Sequence, residues 1–306
     1  MKEKLAPIVL FTYNRLWETQ RTVEALKKNN LAEESELHIF SDGPKNLKDK
    51  NKVEQVRSYL KCISGFKNVL IKEALVNKGL AKSIIDGVTE IINKYGEVIV
   101  LEDDLVTSPN FLDFMNQALE FYVESEKVIS ISGYTLNLHS LKNYDYDYYL
   151  GYRASSLGWG TWKSKWQVVD WVVSDYSDYK MNPKQRYRFF NIGSDMPGML
   201  KNQMEGKIDS WAIRWCYHQF KNNLLTVFAA RSKVNHIGIT QDATHAVGAL
   251  KFNTPLDDSK KRSFEFHKEL VVDKKILKEF RGRYSIRRRT IDKFFSVIVN
   301  FKLLRG

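Results

Sequence analysis

The chain has 306 residues, 43% hydrophobic and 27% charged, with a formal net charge of +12. That composition excludes collagen-like, low-complexity and wholly disordered classes, and the length permits one large α/β domain or two smaller ones. Apolar runs fall short of the roughly 18 residues that span a bilayer. The chain opens Met-Lys-Glu-Lys with no signal-peptide pattern, and its two cysteines, Cys62 and Cys216, have no metal-like spacing. We therefore expect a reducing, cytoplasmic setting without a disulfide framework. The charge is uneven: residues 274–306 hold 11 Lys/Arg against Glu279 and Asp292, which is +9 of the +12. A nucleic-acid binder would spread basic residues over its folded surface, so a nucleic-acid partner is not expected.

In chain order, Pro7 to Phe11 reads as a buried strand, Trp17 to Lys28 as a helix, and Leu37 to Phe40 as a second strand closed by Ser41-Asp42-Gly43-Pro44. Val53 to Cys62 carries apolar residues at helical spacing, and Asn68 to Ile71 reads as a third strand. Leu80 to Tyr95 reads as a helix, with Ile84, Ile85, Val88, Ile91 and Ile92 on its buried side. Val98 to Leu101 is wholly apolar, as in a parallel strand covered on both faces. Ser108 and Pro109 suit the cap and first position of a helix running to about Ser125, before the strand Val128 to Ser132. Repeated strand–helix units predict a doubly wound sheet whose ligand site lies at the strands' C-terminal ends. Asn14, Arg15, Asp42, Asn77, Glu102, Asp103 and Asp104 all fall at such ends.

Glu102-Asp103-Asp104 is the most pointed local feature. Three adjacent acids repel one another unless they share a cation, and a hard divalent ion could bridge them to phosphate oxygens. A solvated acidic turn before a helix N-terminus is the plainer alternative. With the apolar strand before it and Leu105, Ser108-Pro109 and Phe111 after it, the triplet resembles the acidic motif of GT-A fold glycosyltransferases. The variant is similar to that of the N-acetylglucosaminyltransferase I-like group and of bacterial family-2-type transferases of surface polysaccharide synthesis. Thr12-Tyr13-Asn14-Arg15, Asp42 and Asn77-Lys78-Gly79-Leu80 extend the resemblance along residues 7 to about 135.

The resemblance implies a Rossmann-like, mostly parallel sheet flanked by helices. Residues 1–135 would bind the nucleotide-sugar, 136–272 would form the acceptor and catalytic half of the same domain, and 273–306 a basic amphipathic helical tail. It further implies that Asp104 ligates Mn²⁺ or Mg²⁺, with Glu102 and Asp103 at the ribose or a metal-bound water. Thr12, Asn14 and Arg15 would meet the base and diphosphate, Asp42 a uracil, and Asn77 and Gly79 the donor. Gly158-Trp159-Gly160, with Trp162 and Trp166, resembles the segment near the donor sugar, though tryptophans there could equally be core. Asp209 in Asp209-Ser210-Trp211 matches the element holding the catalytic base, with Glu205 and Asp195 as competitors and a helix cap as the plainer role. Asn235-His236-Ile237-Gly238 and Thr244-His245 look like a closing segment, with His245 at the diphosphate or metal.

The activity expected is inverting, metal-dependent transfer from a UDP-sugar to a glycan or lipid-linked acceptor. A sugar nucleotidyltransferase is the enzymatic alternative, but it calls for a glycine-rich loop where the chain reads Phe11 to Arg15. A nucleic-acid-binding protein acting through Arg287-Arg288-Arg289 is the non-enzymatic one. The tail suits either an anionic membrane surface, making the protein peripheral at the inner face, or packing on the domain.

Overall fold

The computed structural model describes residues 5–238 and 253–291. Ten strands are formed: β1 (Ile8–Thr12), β2 (Glu36–Ser41), β3 (Asn68–Glu73), β4 (Glu97–Glu102), β5 (Leu105–Thr107), β6 (Val128–Ser132), β7 (Tyr148–Gly151), β8 (Trp159–Trp162), β9 (Leu225–Ala229) and β10 (Val234–His236). The helices are α1 (Leu16–Lys27), α2 (Leu47–Leu60), α3 (Leu80–Tyr95), α4 (Phe111–Tyr122), α5 (Lys163–Trp166), α6 (Tyr176–Met181), α7 (Pro183–Phe190), α8 (Met196–Met204), α9 (Trp211–Lys221) and α10 (Lys274–Arg283).

Eight strands make one sheet in the order β3-β2-β1-β4-β8-β6-β9-β7. β1 to β4 pair in parallel, β9 is parallel to β6, and β8 and β7 run against their neighbours. This is the helix-flanked, mostly parallel α/β sheet anticipated from the chain. Residues before and after 135 share it.

Alternation along each central strand sends side chains to opposite layers. Ile8, Leu10, Ile99 and Leu101 join one core with α1, α2 and α4, while Val9, Phe11, Val98 and Val100 join another with α3 and four tryptophans. α3 lies close on β1 because Gly87 has no side chain: a Cβ there would sit 2.8 Å from the Phe11 ring. A third, smaller cluster ties α6 to α9 together through Tyr179, Phe189, Leu200 and Tyr217.

Two local expectations need correction. α2 starts at Leu47, well before the apolar stretch, because the Asn46 side chain accepts the Asp49 N–H and caps it. α4 starts at Phe111, not at Pro109; Ser108 does not cap it, since its Oγ donates instead to Asn110 Oδ1 at 2.8 Å. The sequence pattern assigns residues 105–107 to no element. They form β5, which pairs antiparallel with β10 far along the chain.

Of the tail, α10 packs on the domain. Ile276, Phe280 and Tyr284 are buried in the larger core, and Phe280 lies 5.6 Å from the Phe228 ring. Residues 286–291 are helical and exposed, and 292–306 lie outside the described residues.

Candidate active site

β1 and β4 are neighbours in parallel register, so their C-terminal ends deliver Tyr13, Asn14 and Arg15 beside Glu102, Asp103 and Asp104. The turn after β4 is fixed from α1: Thr22 Oγ1 donates to the Asp103 carbonyl at 2.8 Å and accepts the Leu105 N–H at 3.1 Å. Arg15 then spans both aspartates. Its Nη1 lies 2.8 Å from Asp104 Oδ2, its Nη2 bonds Asp103 Oδ1, and the Tyr13 N–H donates to Asp103 Oδ2 at 3.3 Å. The cation shared by the acidic turn is thus a guanidinium from the chain itself.

β10 completes the site from the other side. Pairing of His236 with Leu105 and the Ile237 N–H bond to the Asp104 carbonyl bring His236 Nε2 to 3.1 Å from Asp104 Oδ2. Gly238 is required at this contact, for a Cβ would sit 2.3 Å from Asp104 Oδ2. Gly158 serves the same approach: its φ is +58°, and a Cβ would meet the Val234 side chain at 2.5 Å.

The three acids differ electrostatically. Burial, with Asp104 and Asp103 adding like charge, pushes Glu102 up to about 8. Burial also raises Asp103, to about 6, against the opposing pull of Arg15 and the Tyr13 amide. Asp104 is buried too, but its bonds to His236 and Arg15 outweigh desolvation and hold it below the usual carboxylate range. Negative charge is therefore held best on Asp104, the acid that Arg15 and His236 both face.

The other expected residues gather in separate places. Asp42, at the end of β2, is occupied internally: it accepts the Lys78 and Gly79 N–H groups at 2.9 and 3.0 Å and the Asn77 amide at 3.0 Å. It thereby sets Gly79, with φ +78°, at the start of α3. Asn14 donates to Asp49 at 2.9 Å, and the buried Thr12 hydroxyl has no partner among the described residues. Trp159 corrects an expectation: it is buried and lies against Trp166 and Trp211, with centroids 5.6 and 4.9 Å away, so its ring offers no face to a sugar. Trp162 and Trp166 are core as well.

Asp209 is exposed, with Arg214 Nη2 3.0 Å from its Oδ1, and the cap of α9 is Ser210 instead. Trp211 packs on Trp159, whose strand partner Val100 lies two residues before Glu102. Glu205 is exposed between Lys201 and Lys207, and Asp195 is held by Arg153 at 2.9 Å. His245 lies outside the described residues. His236 is the residue that sequence reasoning passed over, although the segment containing it had been noticed; only the β5–β10 pairing distinguishes it.

No protein-family profile matches the chain. It is 26% identical over 142 residues to the alpha-1,3-mannosyl-glycoprotein 2-beta-N-acetylglucosaminyltransferase of Arabidopsis thaliana. That relative is a glycosyltransferase. The match covers 40% of this chain and 32% of the relative, so the chain spans about a third of the length of the curated protein it matches. It agrees with the resemblance carried by the acidic turn. Among solved structures, a mannosyltransferase from Pyrobaculum calidifontis in complex with GDP-Man and Mn²⁺ aligns with 9% identity and a TM-score of 0.36, over 53% of this chain and 46% of that one. S. aureus TarS aligns with 13% identity and a TM-score of 0.34, over 51% and 28%.

Among the described residues, no group of three or more His, Cys, Asp or Glu is arranged to cage a metal. Two candidate ligands nevertheless converge, Asp104 Oδ2 and His236 Nε2, 3.1 Å apart. A divalent ion of the Mg²⁺ or Mn²⁺ kind takes few protein ligands and completes its shell with substrate oxygens and water. The pair fits such an ion.

Proposed function

We propose that this protein is a nucleotide-sugar-dependent glycosyltransferase with its donor site at the Arg15–Asp103–Asp104–His236 cluster. One observation carries the reading: a buried acidic turn at the C-terminal end of β4, faced by Arg15 and by His236 from a distant strand. A nucleoside diphosphate needs cationic partners there, because the leaving group develops negative charge as the sugar departs. Asp104 and His236 would hold Mn²⁺ or Mg²⁺, which when bound neutralises diphosphate charge.

Arg15 would exchange one carboxylate contact for a diphosphate oxygen. Asp209, two residues before the Trp211 that packs on Trp159, would accept the acceptor hydroxyl's proton as that oxygen attacks the anomeric carbon, giving inversion. Asp42, Asn77 and Gly79, bonded to one another, would flank the uracil of a UDP-sugar. The acceptor proposed is a glycan or lipid-linked sugar of bacterial surface polysaccharide synthesis. The basic end of the chain would bring the enzyme to the anionic inner face of the cell membrane.

The test is UDP release from a panel of UDP-sugars, with and without Mn²⁺ or Mg²⁺. Metal-dependent turnover by the wild type and its loss in Asp104→Ala are expected. A folded Asp104→Ala protein with full activity would remove the donor-site assignment.

A further inference from the structure

We propose that the crevice between the turn after α7 and the outer face of α10 binds the anionic headgroup of a membrane lipid. The cavity measures about 420 Å³, within the range that holds a small ligand. Lys278 and Arg281 stand on its α10 wall at i, i+3 spacing, hence on one helix face. Among the described residues that line it there is no carboxylate to neutralise them.

Lys278 makes no ion pair among the described residues, and Arg281 is engaged by one hydrogen bond, Nη2 to Asn191 Oδ1 at 3.0 Å. A guanidinium has five N–H donors, so most of its capacity remains for a ligand. A third cation closes the rim, where Arg289 Nη1 lies 3.3 Å from Ser194 Oγ. Apolar residues share the lining: Phe190 and Ile286, the latter 59% exposed. Cations with hydrocarbon beside them match a phosphate attached to an acyl-bearing glycerol better than a polynucleotide. Beyond Ile291 the chain continues for 15 residues that include Phe294, Phe295, Val297, Ile298 and Phe301, a composition suited to the same interface.

The headgroup site deepens the membrane part of the function proposed above and is independent of the transferase chemistry. Its test uses the full chain and dihexanoyl phosphatidylglycerol below its micelle concentration, in EDTA, followed by titration calorimetry. Lys278→Ala/Arg281→Ala removes two cations lining the crevice; Arg287→Ala/Arg288→Ala removes the same charge from residues that do not line it. We expect the first pair to weaken binding roughly 30-fold and the second less than threefold, with Lys278→Arg/Arg281→Lys retaining it. Flotation on phosphatidylglycerol vesicles should follow the same order. Equal losses in the two pairs would reduce the effect to net charge and overturn the site. So would absent binding of the monomeric lipid by wild type, or equal affinity for inorganic phosphate. Because the exposed Lys278→Ala variant alone should keep the wild-type melting temperature, lost binding in it cannot be ascribed to misfolding. Sugar transfer to a soluble acceptor should not change, so a failed headgroup site and a failed transferase reading give different results.

Discussion

The two carboxylates proposed for the chemistry, Asp104 and Asp209, sit in opposite surroundings. Asp104 is buried at the end of a central strand and gripped by Arg15 and by His236 from β10. Asp209 precedes a helix, its side chain 64% exposed, with Arg214 as its ion-pair partner. A group that must face a diphosphate benefits from a fixed, low-dielectric setting, where charge interactions are strong. A base that must meet an incoming hydroxyl benefits from access. The contrast teaches that the donor-side carboxylate is held in place while the proposed base is left open.

That contrast can be broken most sharply by kinetics. Asp209→Asn should lower kcat on the order of 10²-fold or more, the usual worth of a general base, while leaving stability within about 0.5 kcal/mol because the side chain is exposed. A melting temperature that falls along with kcat would place Asp209 among the structural groups and erase the distinction.

Stability sharpens it from the other side. Arg15→Ala strips both aspartates of their counter-charge and should destabilise the fold by about 2 kcal/mol, below the range for fully buried pairs because Arg15 is 39% exposed. Denaturant unfolding measures this, and an unchanged midpoint would show that the acidic turn tolerates its own repulsion.

The smallest effect is a pH dependence at a second buried ion pair. Lys233 and Asp257 form a buried ion pair, with Asn110 Nδ2 also donating to Asp257 Oδ2 at 2.9 Å. Burial opposes the charged form of Asp257, but the bonds from Lys233 and Asn110 prevail and depress its pKa. A depressed carboxylate stabilises the fold above its unfolded value of about 3.9, and the stabilisation is lost as pH falls through the folded value. The wild type should therefore lose melting temperature in acid more steeply than Asp257→Asn, which has already lost the pair at neutral pH. Parallel acid curves would remove Asp257 from the balance.

How far the sequence could be read depended on the range of the forces involved. β1 to β4 follow from short apolar runs and α1 to α3 from apolar spacing near 3.6, both within single segments, and the placement of Arg15 and the acids at strand ends follows from parallel winding. The tryptophans were harder. Trp159 alternates with Gly160 in a glycine-rich run, a pattern that fits a sugar platform or a core equally well, and only the arrival of Trp211 and Trp215 on α9 covers it.

By itself the sequence determined the strand–helix alternation, the acidic turn and the basic end, because each depends on neighbours within a few residues or on charge that can be counted. Tertiary structure decided which side chains face which acid. His236 stands 132 positions from Asp104, and a three-residue ribbon carries no local signal of its partner. Only closure of the chain, with Gly158 and Gly238 permitting the close approach, brings that imidazole to the carboxylate.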